Sequence, residues 1–436
     1  MSKVSTFKWG GVHPDDKKNL SKNSPIEPLV QPEEIIISMA QHLGAPAEML
    51  KKKGDRVERG ELIAKASSFI SANVHSPLSG VVKDIVSIVL PSGANAPALV
   101  ISVDAEQKEV VYTKKDYSSL SCEQIIEKAR EMGIVGLGGA TFPSDVKFRI
   151  PTGKKVEALI INAVECEPYL TSDYRTMIER TDEVLEGIEI LKKAVAAEKT
   201  FIAIELNKKD AIEKFEAEVK KRGLDIEVES LKMRYPQGDE KQLINAVTGK
   251  MVPSGKLPID VGAVVSNVST VFALYEAVAL DKPLYERVVT VSGEGVKEAK
   301  NILAPIGAKA CDLFAQAGGL CDTVSRLISG GPMMGFAFFD ENTPVTKGSG
   351  GLLAIPVSED ESTFNCVSCG RCVMHCPMHL MPNKMFRNIK YGNYQAALDL
   401  GLMDCKECGC CAYSCPSHIP LVQGFKLGKK MGRKKK

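Results

Sequence analysis

Two runs of cysteine near the C-terminus share the spacing C-x2-C-x2-C-x3-C-P. The runs comprise Cys366, Cys369, Cys372 and Cys376 before Pro377, and Cys405, Cys408, Cys411 and Cys415 before Pro416. This spacing is typical of bacterial iron–sulfur proteins, in which three thiolates of a run bind one cluster and the fourth binds its partner. We therefore predict two [4Fe–4S] clusters, one held by Cys366, Cys369, Cys372 and Cys415, the other by Cys405, Cys408, Cys411 and Cys376.

Other uses of these cysteines fit the pattern less well. A zinc ribbon takes two C-x2-C pairs about 15–20 residues apart, which would leave four of the cysteines unexplained. Disulfide frameworks belong to small secreted chains, whereas this chain has 436 residues. Cys410 lies inside the second run but off the repeat, so we expect it to neighbour a cluster rather than to bind it.

The bulk composition is that of a globular protein with several domains. Of the 436 residues, 44% are hydrophobic and 25% charged, and three or four domains are expected for this length. Nine of the 13 cysteines fall in the two runs, which favours a reducing compartment and metal ligation. No apolar run approaches the ~20 residues that span a bilayer, and the N-terminus lacks the apolar segment of a signal peptide. The sequence therefore predicts a soluble or peripheral protein.

Charge is unevenly distributed along the chain. Residues 426–436 contain seven basic residues and no acidic one, so subtracting 7 from the formal net charge of +2 leaves −5 for the remainder. Such a basic tail can bind an anionic membrane surface or nucleic acid, or it can be a solvated end without a partner. No aromatic-basic patch occurs elsewhere, so no nucleic-acid partner is expected. The membrane and solvated-end interpretations both stay open.

The elements ahead of the cysteine runs begin with a predicted β domain. In residues 1–115, the stretches 54–63 and 74–82 alternate apolar and polar residues between turn residues. The pattern resembles the barrel-sandwich domains of biotinyl and lipoyl carriers. Those domains carry a modifiable lysine at a hairpin tip, where this chain has residues 67–70, and Lys65 is expected within the preceding strand. We therefore predict a barrel-sandwich hybrid without a swinging cofactor.

The rest of the chain is predicted to form three further modules. Residues 116–285 alternate helix and strand patterns, which predicts a mostly parallel, Rossmann-like sheet whose strand ends bind ligands. Residues 286–355 are expected to form a small α+β, β-grasp-like module. Residues 356–425 contain the cysteine runs, and the helical composition of 383–402 predicts a helical ferredoxin-like domain rather than a compact β form.

A glycine-rich loop at 133–148 has the sequence GIVGLGGATFPSDVKF. Successive glycines let backbone N–H groups approach a phosphate, and a following helix N-terminus adds a favourable dipole. Lys147 would add a point charge. The loop is not the dinucleotide fingerprint G-x-G-x-x-G, and turns are often glycine-rich, so these residues alone leave a phosphate site and an ordinary turn as alternatives.

Four stretches together resemble the NADH-oxidising, flavin-binding subunit of respiratory complex I. They are the glycine-rich loop, NAVECEP at 162–168, YPQGDE at 235–240 and SNVST at 266–270. The resemblance implies FMN contacts from Gly136, Gly138, Gly139, Lys147, Asn162, Glu165, Tyr235, Asp239, Asn267 and Thr270. It also implies that Phe142 and Glu167 line the nicotinamide side and that Lys256 assists. Glu165 and Glu167 are expected to shape the NAD(H) pocket as catalytic-site residues, without acting as a proton-transfer pair.

The chain departs from the complex I pattern at five positions. Asp239 stands for a glutamate, and the other departures are Val164 for aspartate, Ser266 for asparagine, Ser269 for glutamate and Leu137 for arginine. These changes bear on how flavin and NADH are held more than on the fold.

The order of the modules resembles the C subunits of Rnf electron-transport complexes, as does the opening stretch FKWGGVHP at 7–14. The resemblance implies a peripheral subunit on the cytoplasmic face of the cell membrane, exchanging electrons between NAD(H) and two clusters through FMN in an ion-pumping ferredoxin:NAD oxidoreductase. Its implied partners are the other Rnf subunits, including a ferredoxin-accepting iron–sulfur subunit. Two alternatives stay open: a flavin and iron–sulfur reductase for another acceptor such as a corrinoid, or an electron-relay docking subunit without a nicotinamide site.

Overall fold

A computed structural model describes residues 4–356 and 362–433. The strands are β1 (Ile26–Pro28), β2 (Glu34–Ser38), β3 (Glu48–Met49), β4 (Arg56–Val57), β5 (Leu62–Lys65), β6 (Val74–His75), β7 (Gly80–Val89), β8 (Asn95–Val103), β9 (Ala158–Ala163), β10 (Lys199–Glu205), β11 (Glu227–Leu231), β12 (Ala263–Asn267), β13 (Glu286–Ser292), β14 (Lys300–Pro305), β15 (Val324–Ser329), β16 (Phe336–Phe338) and β17 (Gly351–Pro356). The α-helices are α1 (Cys122–Glu131), α2 (Ser144–Phe148), α3 (Ser172–Glu179), α4 (Thr181–Val195), α5 (Lys209–Arg222), α6 (Glu240–Thr248), α7 (Val268–Leu280), α8 (Ala310–Gln316), α9 (Arg371–Met374), α10 (Pro382–Lys390), α11 (Tyr394–Asp399), α12 (Cys410–Tyr413) and α13 (Leu421–Arg433).

A four-stranded parallel sheet forms the centre of the α/β part of the chain. Its order is β11–β10–β9–β12, and all three pairings are parallel. Alternate side chains of β9 enter two apolar cores, Leu159 and Ile161 with α4 and α7, Ala158 and Ile160 with α6. Both faces of the sheet are covered, as parallel sheets require. The predicted Rossmann-like arrangement is confirmed.

The strand order reverses between β9 and β12. The chain runs outward through β9, β10 and β11, then returns to the other side of β9 as β12. Open α/β sheets bind ligands outside the carboxyl ends of their strands at such a switch point. Asn162 of β9 and Asn267 of β12 are partners in the parallel register there. The topology therefore favours a ligand at the place where these two asparagines meet.

Two small antiparallel sheets form the barrel-sandwich part, confirming that prediction. Their orders are β2–β8–β7–β4 and β3–β5–β6. They enclose an apolar core that includes Ile35, Ile37, Ile63 and Leu99. Lys65 is the last, exposed residue of β5, as expected from the sequence.

The N-terminal segment pairs outside these two sheets. β1 adds in parallel to β14, in a six-stranded sheet of order β1–β14–β13–β17–β15–β16. Ser5 forms a bridge with Leu231 and Val12 with Tyr235. The segment therefore ties the α/β part and the six-stranded sheet together, a role that the sequence did not reveal.

The cysteine region is helical, as predicted, with α10 and α11 between the two runs. Residues 426–433 of the basic tail belong to α13 and so do not form the solvated end that was one of its interpretations, whereas residues 434–436 lie outside the described part. Binding of the tail to an anionic membrane surface stays a prediction. Gly424, Gly428 and Gly432 face Phe386, Ile389 and Leu398 so closely that a Cβ would lie 2.6–2.9 Å from their side chains. This glycine stripe lets α13 pack on α10 and α11. No helix in the described ranges is long and apolar enough to cross a bilayer.

Candidate functional site

The glycine-rich loop is held in one conformation by its own backbone and by α7. The Gly136 N–H donates to the Phe142 carbonyl at 2.9 Å, and the Leu137 N–H donates to Thr270 Oγ1 at 2.8 Å. Gly139 has φ +108, and a Cβ there would meet nothing within 4 Å. The backbone at Gly139 therefore faces open space, in a conformation that side chains disfavour. A phosphate could approach it closely.

Two helix N-termini begin with residues that the sequence assigned to flavin. Asn267 caps α7 by accepting from the Ser269 and Thr270 N–H groups, and Asp239 caps α6 by accepting from two N–H groups. A Cβ on Gly138 would lie 3.4 Å from the Cβ of Asn267, so the loop lies against the start of α7. Loop amides and a helix N-terminus together favour a phosphate. The residues present thus fit FMN.

The other predicted flavin residues do not all lie at one place. Asn162 Nδ2 donates to the Gly238 carbonyl at 2.9 Å, which joins the β9 end to the 235–240 stretch. Lys147 forms an ion pair with Glu240 at 2.6 Å. Phe142 lies in the glycine-rich loop beside Gly136. Lys256, in contrast, lies on an exposed loop, and no described contact links it to this group.

Four of the five departures from the complex I pattern are buried, among them Ser266 and Ser269. Leu137 is 6% exposed and belongs to the apolar core under the loop. Val164 is fully buried in the core on the other face of the sheet. Ser269 donates to Asp173 at 2.5 Å, so a carboxylate from α3 lies beside the start of α7.

Glu165 is buried at the entrance to α3. It accepts from the Asp173 N–H at 2.7 Å and lies 3.8 Å from Lys18 Nζ. Burial raises the pKa of Glu165, against the attraction of Lys18 and with a contribution from the nearby Asp173 carboxylate. Its φ of +46 places a non-glycine residue in the left-handed region, a conformation that often marks functional sites.

Glu167 joins three parts of the chain. Its carboxylate accepts from the Tyr235 hydroxyl at 3.2 Å and from the Met333 N–H at 3.0 Å. Its backbone carbonyl accepts from Lys18 Nζ at 3.0 Å. Burial raises the pKa of Glu167 to about 7. The sequence predicted the acid but missed Lys18 and Met333, because no local pattern connects positions about 150 residues apart.

The second predicted cysteine set surrounds a cavity. Its lining includes Cys405, Cys408 and Cys411 of the second run together with Cys376 of the first. Burial raises the pKa of Cys405 to about 11, with Cys408 and Cys376 as further causes. The first run's fourth cysteine therefore lies with the second run, which is the crossed arrangement expected of two-cluster proteins.

The first set is more open. Cys366 and Cys369 are exposed. Burial raises the pKa of Cys372, and the nearby Cys415 and Cys366 thiols add to the rise. In the described ranges, no three His, Cys, Asp or Glu side chains converge tightly enough for a single metal ion. A [4Fe–4S] cluster binds its four thiolates at separate corners, so it suits sulfurs spaced more widely.

The buried cysteine set packs directly on the 235–240 stretch, which we call the flavin-site segment. Val12, Tyr235, Cys408 and Cys410 form one apolar cluster, with Met333 at its edge. The Cys410 thiol lies 3.8 Å from the Tyr235 carbonyl, which agrees with its expected place beside a cluster.

The N-terminal segment completes the contact between the two sites. The Val12 N–H donates to the Tyr235 carbonyl at 2.8 Å, and the Gly11 N–H donates to the His375 carbonyl at 2.9 Å. Residues 11 and 12 thus touch the flavin-site segment and the first cysteine run at once.

Four family descriptions match the chain in sequence order. They are the RnfC barrel sandwich hybrid domain at residues 5–106, the Nuo51 FMN-binding domain at 129–276, the SLBB domain at 288–337 and the 4Fe-4S dicluster domain at 365–419. The predicted fold class is confirmed, and so are FMN and iron–sulfur clusters as the cofactor classes.

Curated relatives align with most of the chain. The C subunit of the proton-translocating ferredoxin:NAD(+) oxidoreductase complex of Clostridium ljungdahlii is 45% identical, covering 86% of this chain and 83% of the relative. The C subunit of the ion-translocating oxidoreductase complex of Rhodobacter capsulatus is 41% identical over 96% and 82% of the two chains. The C subunit of the Na(+)-translocating ferredoxin:NAD(+) oxidoreductase complex of Acetobacterium woodii is 41% identical over 87% and 86%.

Solved structures share the fold at low identity. The NAD+-reducing [NiFe]-hydrogenase in its air-oxidized state has a TM-score of 0.51 at 17% identity, covering 73% of this chain and 68% of that chain. In the H2-reduced state the TM-score is 0.50 at 17% identity, covering 73% of this chain and 62% of that chain. The curated relatives match far more closely and along most of their length. The chain therefore belongs to the RnfC family, the C subunits of ion-translocating ferredoxin:NAD(+) oxidoreductase complexes.

Proposed function

We propose that this chain is the peripheral subunit that exchanges electrons between NAD(H) and two [4Fe–4S] clusters through FMN, within a membrane-bound, ion-translocating ferredoxin:NAD oxidoreductase. The observation that carries the proposal is the packing of the buried cysteine set against Tyr235 of the flavin-site segment. A flavin domain and a two-cluster domain in one chain, and relatives named for this reaction, support it.

The chain's own residues bind and orient the cofactors. The loop amides around Gly138 and Gly139 and the N-terminus of α7 would receive the FMN phosphate, and Asn162 and Asn267 would flank the flavin at the switch point. When bound, FMN exchanges two electrons with a nicotinamide and single electrons with the clusters. Tyr235, between the loop region and the cysteines, would help to exclude water from the space between them.

The two cysteine sets differ in exposure, which supports an order. The set of Cys376, Cys405, Cys408 and Cys411 is mostly buried and faces the flavin-site segment. The set of Cys366, Cys369, Cys372 and Cys415 includes two exposed members. We assign the buried set to the cluster nearer to FMN and the exposed set to the cluster nearer to the partner protein.

The most detailed part of the proposal concerns NAD(H) binding. Glu165 and Glu167 would form the wall of its pocket beside FMN. Burial raises the pKa of both carboxyls above the usual range, so each is partly neutral near pH 7. Reduced negative charge lowers the repulsion of the phosphates of a dinucleotide.

Membrane attachment would come through partner subunits. The described ranges contain no helix able to cross a bilayer, and the relatives are subunits of complexes. We propose a peripheral position on the cytoplasmic face, with the exposed cysteine set towards the other Rnf subunits, among them a ferredoxin-accepting iron–sulfur subunit.

Anaerobic purification of the full chain tests the proposal. It should retain FMN and about eight iron atoms, as two [4Fe–4S] clusters require, and it should reduce ferricyanide with NADH. Chain with intact clusters but no extractable flavin, or with flavin and no NADH oxidation, would overturn the dehydrogenase assignment. Iron well below that content would overturn the cluster assignment.

A further inference from the structure

A buried arginine from the six-stranded sheet contacts the glycine-rich loop. Arg287, in β13, is 5% exposed. Its guanidinium donates to the Leu137 carbonyl at 3.4 Å, to the Lys347 carbonyl and to the Val288 carbonyl at 3.3 Å. The Leu137 N–H is held by Thr270. Leu137, just before Gly138, is therefore held at both its N–H and its carbonyl.

A buried lysine holds the start of the same loop. Lys347 is fully buried, and its Nζ donates to the Gly133 carbonyl at 2.7 Å and to the Asn73 carbonyl at 2.8 Å. Arg287 and Lys347 thus lie together behind the loop, joined through the Lys347 carbonyl.

Neither side chain forms an ion pair with a carboxylate among the described residues, and burial lowers the pKa of Lys347 to about 7, so that amine is partly neutral near pH 7. Their acceptors are backbone carbonyls. Asp173 attracts Arg287 electrostatically, but its two oxygens accept from Asn267 at 2.7 Å and from Ser269 at 2.5 Å. Burial lowers the pKa of Arg287 to about 10, which leaves the guanidinium charged at neutral pH.

A buried charge without a direct ion pair is costly even with Asp173 nearby, and an anion bound close to it would offset that cost. The loop amides after Leu137 and the N-terminus of α7, which adjoins Leu137 through Thr270, are suited to an anion. A further glycine fits this purpose, since a Cβ on Gly350 would lie 3.3 Å from the Arg287 Nη2 and crowd the guanidinium.

We propose that Arg287 is a positioning residue that fixes the glycine-rich loop and supplies the positive charge by which the site selects phosphorylated FMN over riboflavin. The inference rests on the proposed flavin site and names a determinant of its specificity. Lys347 anchors the start of the loop, and Arg287 acts through the Leu137 carbonyl without touching the flavin ring.

The test measures two affinities of the flavin-depleted, cluster-containing full chain, for FMN and for riboflavin, by quenching of flavin fluorescence. In Arg287→Met the preference for FMN over riboflavin should fall on the order of tenfold, because a charge in a low-dielectric site is lost. Arg287→Lys should keep most of the preference. Arg326→Met, at an exposed position on β15 of the same sheet, is the matched control and should bind like wild type.

The outcomes separate this inference from the proposed function. Wild-type chain that binds no FMN would overturn both. If Arg287→Met prefers FMN as strongly as the wild type does, only the role of Arg287 is overturned. An equal loss of affinity for FMN and for riboflavin would overturn it too, since that indicates a purely structural role. If Arg287→Met does not fold, the affinities of Arg287→Lys provide the test. Loss of the FMN preference in this folded variant, which keeps the positive charge, would contradict selection by charge.

Discussion

At the scale of residues, Glu167 is a partly buried acid that links the parallel sheet to the turn between β15 and β16. Its ordinary pKa is 4.5 and burial raises it to about 7. Between these values the folded chain binds a proton that the unfolded chain has released. The free energy of unfolding therefore falls as pH rises through this window and levels off above about pH 7.

Glu167→Gln should remove that pH dependence. In the wild type, this group should make the free energy of unfolding about 1 kcal/mol lower at about pH 8 than at about pH 6. The variant should lack this difference. Denaturant unfolding of the flavin-free chain at the two pH values measures it. Glu341→Gln, at an exposed position, should keep the wild-type dependence, and an unchanged dependence in Glu167→Gln would refute the assignment.

Cys410 and Cys408 make a matched pair for the cluster assignment. Both are buried in the same apolar cluster, but only Cys408 belongs to the ligand spacing. Cys408→Ser should lower the iron content from about eight to about four atoms per chain, because one cluster loses a thiolate. Cys410→Ser should keep about eight. Iron and sulfide analysis of anaerobically purified chain decides, and equal losses in both variants would contradict the assignment.

The spacing of the cysteines is itself typical of cluster ligands, so their role could be predicted from the sequence alone. Asn162 and Asn267 were predicted only through the resemblance to the complex I subunit, and the structure places them in register at the ends of β9 and β12. Lys18, Arg287 and Met333 could not be predicted, because each reaches the site from a distant part of the chain and none lies in a pattern of its own.

At the scale of elements, the N-terminal segment contacts both the flavin-site segment and the first cysteine run and so joins them. Gly10 has φ +71, and a Cβ there would lie 2.7 Å from the Cys376 carbonyl carbon and the Pro377 nitrogen. The segment passes so close to the cysteine loop that only glycine fits.

Gly10→Ala should therefore detach the segment from the cluster domain. Gly54→Ala is the control, since Gly54 has φ +90 but open space around a Cβ, so both variants carry similar backbone strain and only one adds a clash. Limited proteolysis within the first 14 residues should accelerate in Gly10→Ala well beyond Gly54→Ala. Equal rates would show that the segment does not hold the two parts together.

Elements with a clear period were predictable, and long-range pairings were not. The apolar runs of β9 and β10 follow from burial on both faces of the sheet. The apolar residues of α4 recur at helical spacing because one side of that helix packs on the sheet. β1 is three residues long and pairs with β14 about 275 positions away, so nothing local marks it. The helix α13 was not predicted, because its basic residues indicated a charged tail. The glycine stripe among those residues is what packs on α10 and α11.

At the scale of the whole molecule, four modules place a flavin site and a buried cysteine set on the two sides of Tyr235. The order of modules was predictable from the motifs. Their contact was not, since it depends on Val12, Gly11 and His375 meeting across the fold. The proposed function requires that electrons pass between nicotinamide and clusters inside this one chain, and that they do so only with FMN bound.

Electron paramagnetic resonance of the clusters can follow that transfer. Full chain containing both clusters is prepared with and without FMN, then oxidised chain is mixed with NADH and dithionite-reduced chain with NAD+. With FMN bound, the reduced-cluster signal should grow with NADH or decay with NAD+, according to the cluster potentials, and without FMN neither change should occur. No exchange in either direction with all cofactors in place, or exchange that is indifferent to FMN, would refute electron transfer through the flavin.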